Sequence, residues 1–124
     1  MSSWKGMCRG RDLHVERDTV TVTFGDNRGH RIAVAENPEE FLLRAIVARP
    51  ATVRALGSSL AVTMWLRNRA VSLVGFEIDQ RDRLVCTAFV PKAGLSAEEF
   101  QFQLRMVAVE SDRFEYALTG RDVE

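Results

Sequence analysis

The chain has 124 residues, with 17 Lys+Arg against 17 Asp+Glu, so its formal net charge is zero. That length makes one ordinary domain, residues 1–124, which can bury a core without a disulfide or metal staple. Interleaved charges with no basic surplus argue against nucleic-acid binding, which rests on neutralising phosphates. Arg9, Arg11 and Arg17 form a local basic grouping, but no longer run exists.

Residues 1–11 carry no clear periodicity. Trp4 and Met7 are apolar at helical spacing, and Gly6 and Gly10 weaken a helix, so the segment is either docked or frayed. Thr19 to Phe24 alternates Val20, Val22 and Phe24 against three threonines, a strong strand pattern. Leu13 and Val15 extend it upstream out of phase, which calls for a bulge near Arg17–Asp18. The turn Gly25-Asp26-Asn27-Arg28-Gly29 then leads to a returning strand, Arg31 to Glu36.

Asn37-Pro38-Glu39-Glu40 suits a helix start or a turn. The β-branched Ile46 and Val47, with Pro50 following, favour a third strand over Phe41–Ala48. Pro50 opens a helix running to about Arg67. Val53, Leu56, Leu60, Met64 and Arg67 share one stripe, Gly57-Ser58-Ser59 is a weak spot, and Asn68 is a plausible end. Ser72–Asp79 and Arg83–Val90 read as two more strands around the polar turn Gln80-Arg81-Asp82. Ser96 and Glu99 make a capping box for a last helix from Ala97 to about Thr119, stopped by Gly120.

That helix carries two apolar stripes. Phe100, Leu104, Val107, Phe114 and Leu118 form one. Phe102, Met106, Val109 and Tyr116 form the other, about 200° round the axis, with Arg113 in its midst. One stripe covers the sheet. The other is covered either by the N-terminal segment with Trp4 and Met7, or by another protein, since large exposed apolar patches mark contact sites. Val85 and Phe89 likewise stand opposite Leu84 and Cys86, so that strand is apolar on both faces. A sheet with one solvated face should alternate apolar with polar. The candidate protein interface is therefore Phe102, Met106, Val109, Tyr116, Val85 and Phe89.

No catalytic, cofactor-binding or metal-ligating residues emerge. His14 and His30 have no sequence-local nucleophile to activate. There is no CxxC, no Cys/His cluster, no EF-hand spacing and no phosphate loop. Cys86 reads as a small buried hydrophobe. The acids at Glu39/Glu40, Glu98/Glu99 and Asp79/Asp82 fit helix starts and turns. Apolar runs are too short to span a bilayer, and the few cysteines and missing secretory signal point to the cytoplasm.

Several segments resemble the YbjN-like family. These are Trp65-Leu66-Arg67-Asn68-Arg69, Val74-Gly75-Phe76-Glu77-Ile78-Asp79, Arg83-Leu84-Val85, Val90-Pro91, Leu95-Ser96-Ala97-Glu98-Glu99-Phe100, and Val107-Ala108-Val109-Glu110-Ser111-Asp112. They fall within roughly residues 40–120. The family shares the fold of the class I type III secretion chaperones. The resemblance implies a twisted antiparallel sheet of about five strands, in the order strand-strand-strand-helix-strand-strand-helix, with helices packed on it. It also implies a homodimer whose apolar patches hold an extended segment of a client, and no catalytic residues. The chaperones begin with a full N-terminal helix and tend to be acidic. This neutral chain has about ten ill-patterned residues before its first strand, which favours a general adaptor or regulator. The expectation is a non-catalytic, chaperone-like protein-binding module that forms a homodimer and binds an unidentified protein partner. The alternative is a small-ligand or enzymatic domain with a pocket between sheet and helix.

Overall fold

The computed structural model describes residues 4–25 and 28–119. Asp26 and Asn27 of the expected turn, and the expected helix stop Gly120, lie outside the described residues. A 3-10 turn, Trp4–Met7, precedes the strands β1 (Leu13–Glu16), β2 (Thr19–Thr23), β3 (Gly29–Glu36) and β4 (Glu40–Ala48). The helices α1 (Pro50–Leu56) and α2 (Ser58–Ala70) follow, then β5 (Gly75–Ile78), β6 (Leu84–Pro91) and α3 (Ala97–Thr119). The strands form one open antiparallel sheet of six, in the order β1-β2-β3-β4-β6-β5.

Six strands stand where about five were expected, because Leu13–Glu16 is a strand in its own right. Arg17 and Asp18 make a tight hairpin turn and not a bulge. Arg17 takes a positive φ of 58°, and Thr19 Oγ1 donates to the Glu16 carbonyl at 2.9 Å. The register Leu13↔Val22 and Val15↔Val20 resolves the phase problem, since chain reversal returns both side chains to the face of Val20 and Val22.

Asn37 is a turn residue. Its Oδ1 accepts the backbone N–H groups of Glu39 and Glu40, both at 2.9 Å, and the chain passes directly into β4. Along β4, Phe41, Leu43, Ala45 and Val47 point inward and are buried. The pairing with β6 slips between Ile46 and Ala48, which buries Val47 and Ala48 in succession.

The helix expected from Pro50 to Arg67 is two helices. Gly57, at φ 58° and ψ −143°, divides them in a conformation open to glycine alone. Asn68 lies inside α2 and does not end it. Its side-chain amide donates to the Phe76 carbonyl at 3.0 Å and accepts the Phe76 N–H at 2.7 Å, standing in for a strand partner along the edge strand β5.

The capping box forms as expected: the Ser96 N–H donates to Glu99 Oε1 at 2.9 Å, and the Glu99 N–H to Ser96 Oγ at 3.1 Å. From there α3 lays Phe100, Leu104, Val107 and Phe114 across the inner face of the sheet, all fully buried with Ile32, Leu43, Leu84 and Cys86. Phe41 meets Phe100 edge-on at 5.2 Å, and Phe76 meets Phe114 at 4.7 Å. Trp4 packs on Phe100 at 6.3 Å, so the N-terminal turn extends the first stripe and leaves Phe102 exposed. Gln101 Nε2 donates to the Met7 carbonyl at 2.7 Å, and Arg105 grips Asp12 with two bonds of 2.7 and 3.0 Å. That pairing holds the Asp12 carboxyl below its ordinary range and raises Arg105.

Candidate functional site

The structure spreads the six interface candidates over two surfaces. Phe102, Met106, Val109 and Tyr116 lie along α3, on the helix side of the sheet. Phe102 is 51% exposed and Tyr116 38%, while Met106 and Val109 are half-buried. Phe89 is 62% exposed but points the other way, from the outer face of the sheet. Val85 shares that outer face with Phe89 and is fully buried, seated between Ile46 of β4 and Glu77 of β5. It offers no surface to a partner.

One further surface carries exposed apolar groups that local patterning did not flag. On α2, Val62, Trp65 and Leu66 are each more than half exposed, opposite the buried Leu60. Trp65 has the Arg69 guanidinium 4.8 Å from its ring centre. The signal was present in the sequence: apolar residues recur on both sides of that helix, and a surface helix should be polar on one. On the sheet, all three α-helices leave the outer face open. Ile46 and Phe89 stand on it, with Ala33, Ala35 and Leu42 around them.

Charges on the helix side are locally matched. Arg28 pairs with Asp112 and lies 5.8 Å from the ring centres of both Phe24 and Tyr116. His30 is the second residue of β3, and its Nε2 is 3.1 Å from the Ile46 carbonyl. It shares an open cleft with Asp112 and Glu115, where one ligand atom from each falls within 4.8 Å of the others. Those three groups could in principle hold a cation, but the Arg28 guanidinium already supplies one to Asp112. Both cysteines are pushed up by burial, Cys86 to about 11, so neither is a thiolate nucleophile at neutral pH.

On the outer face, Asp79 anchors the β5–β6 turn. Its Oδ1 accepts the N–H groups of Arg81 and Arg83, each at 2.9 Å, and its Oδ2 lies 2.7 Å from an Arg83 nitrogen. The Arg83 guanidinium and these bonds pull its carboxyl down from 3.8 to about 2. No helix of the described residues is long and apolar enough to cross a membrane.

No family model matches the chain, and no curated protein matches it in sequence. Solved structures match it in fold. It is similar to a chain of the heterodimeric ExoU–SpcU complex from the type III secretion system of Pseudomonas aeruginosa, at 16% identity and a TM-score of 0.58. That match covers 79% of this chain and 81% of the other. A chain of the ExsC–ExsE complex matches at 19% identity and a TM-score of 0.58, over 86% and 80% respectively. The complex of the Yersinia pestis type III secretion chaperone SycH with a stable fragment of YscM2 matches at 12% identity and 0.52, over 84% and 92%. The fold is thus the α+β fold seen in type III secretion chaperone complexes.

Proposed function

We propose that this chain is a non-catalytic, chaperone-like protein-binding module that pairs as a homodimer and holds a segment of a partner protein. The observation that carries the reading is the placement of exposed apolar side chains on the described surface. The inner face is filled by its own helix, yet Val62, Trp65 and Leu66 on α2, and Ile46 and Phe89 on the outer sheet face, stand uncovered. Apolar groups clustered this way are costly in water unless a protein covers them. The solved structures of similar fold are complexes with partner proteins, which supports the same reading. The YbjN-like resemblance belongs with it, as does a role as adaptor or regulator.

The α2 face suits a second copy, because one short apolar helix face is readily self-complementary about a two-fold axis. The outer sheet face and the α3 stripe of Phe102, Met106, Val109 and Tyr116 are then left for the partner. The alternative of a ligand pocket between sheet and helix meets a filled interface of Phe100, Leu104, Val107 and Phe114.

Light scattering over a dilution series tests the pairing. The expected result is a dimer whose mass halves in a Trp65→Glu, Leu66→Glu variant that still melts cooperatively. A monomer at every concentration removes the homodimer from the proposal. A photo-crosslinking residue at position 89, compared with one at exposed Arg54 on α1, tests partner holding in the cells that make the protein. A discrete adduct from position 89 alone supports it, and equal labelling from both positions counts against it.

A further inference from the structure

The outer sheet face is not only apolar. Thr19, Arg31, Ala33, Arg44, Ile46 and Arg83 line one shallow depression in it. The register explains the grouping. Ala33 pairs with Arg44, the neighbouring step sets Arg31 level with Ile46, and Ile46 pairs with Val85, two residues from Arg83. The consecutive strands β3 and β4, and the residue just before β6, so deliver three guanidinium groups around a floor of Ala33 and Ile46.

The ion pairing of these arginines differs. Arg83 is committed to Asp79. Arg31 and Arg44 have no carboxylate partner among the described residues, and the Arg44 Nε is buried with no hydrogen-bond partner. A desolvated donor left unpaired is unfavourable, and a guanidinium is built to take a carboxylate in bidentate geometry. The acids on this face are Glu16 on β1, Glu40 at the start of β4, Glu77 on β5 and Asp79 just after it; none lines the depression, though Glu77 and Asp79 share an adjoining cleft with Arg44 and Arg83. In a chain of zero net charge, the depression is a local positive surplus. Beyond the arginines the face turns apolar again, with Ala35, Leu42 and Phe89 in one cross-strand row.

Resting on the protein-binding reading above, we infer that the segment held on this face is an extended peptide bearing both carboxylate and apolar side chains. Its carboxylates pair with Arg31 and Arg44. Its apolar side chains lie on Ile46 and Ala33, and on the Leu42–Phe89 row. A nucleic acid would satisfy the guanidinium groups but leave the aliphatic floor and the Leu42–Phe89 row without a complement.

The test is fluorescence anisotropy with three labelled peptides of equal length. They share the same alternating leucines, and the intervening positions are glutamate, serine or lysine. A labelled single-stranded oligonucleotide serves as a fourth probe. The glutamate peptide is expected to bind tightest and to weaken with added salt. Arg31→Glu with Arg44→Glu should weaken it by at least about tenfold and raise affinity for the lysine peptide, a reversal that mere unfolding cannot give. Arg44→Gln alone, which keeps a polar amide, should give a smaller loss in the same direction. Serine and glutamate peptides of equal affinity would overturn the acidic preference while leaving protein binding intact. Failure of every peptide, or preference for the oligonucleotide, would overturn the inference, and the position-89 adduct then judges the broader reading separately.

Discussion

The two faces of the sheet are built from the same strands and used differently. On β4, Phe41, Leu43, Ala45 and Val47 face α3 and are buried, while Leu42, Arg44 and Ile46 face outward with no helix over them. On β6, Leu84, Cys86, Ala88 and Val90 face inward, and Thr87 and Phe89 face out. The inner face is closed by packing and therefore serves stability. The outer face mixes arginines with aliphatic and aromatic groups, so its contacts remain to be made with something else. A strand's period of two permits this division, because alternate residues answer to separate constraints.

Substitutions should separate the two faces sharply. The largest effect is expected at Phe114, which is fully buried and meets Phe76 edge-on at 4.7 Å. Phe114→Ala should cost about 3–5 kcal/mol in urea unfolding, the usual toll of a buried aromatic truncation. A loss below about 1 kcal/mol would mean that α3 is not the keystone of the inner face.

An intermediate effect is expected at Asp79, which fastens the β5–β6 turn through Arg83. Asp79→Asn should cost roughly 1 kcal/mol at neutral pH, the scale of one partly exposed charge pair. The carboxyl is depressed from 3.8 to about 2, so its contribution is complete above the unfolded value and fades as pH falls from about 4 towards 2. Unfolding curves of wild type and variant, measured down that pH range, should therefore converge. A gap that stays constant with pH would show that the loss comes from packing and not from charge.

The smallest effect on stability is expected at Phe89. Replacing this exposed ring by serine should change unfolding free energy by no more than about 0.5 kcal/mol, while weakening capture of a bound peptide. Marked destabilisation would place Phe89 in the fold and dissolve the distinction between the faces.

Much of the inner face was legible in the sequence. The Ser96–Glu99 box, the Phe100–Leu118 stripe and the Val20–Val22 alternation are local patterns, and the structure uses each as expected. The strand over residues 41–48 was legible because Ile46, Val47 and Pro50 disfavour a helix there. The β1–β2 hairpin was missed because its turn, Arg17–Asp18, has neither the Asn-Gly nor the Gly-Gly signature that marks tight hairpins. Val85 misled because an outward position in a strand ordinarily means exposure. Burial between Ile46 and Glu77 depends on which strands lie alongside.

By itself the sequence determined most of the elements, their inward stripes and the α+β class. Those follow from the 3.6- and 2-residue periods and from caps and turns, which act over a few neighbouring residues. Tertiary structure alone decided that β6 lies between β4 and β5, that Trp4 joins Phe100, and that Arg31, Arg44 and Arg83 surround one depression. Strand order and register bring together residues far apart along the chain, and no local pattern encodes which strand will be the neighbour.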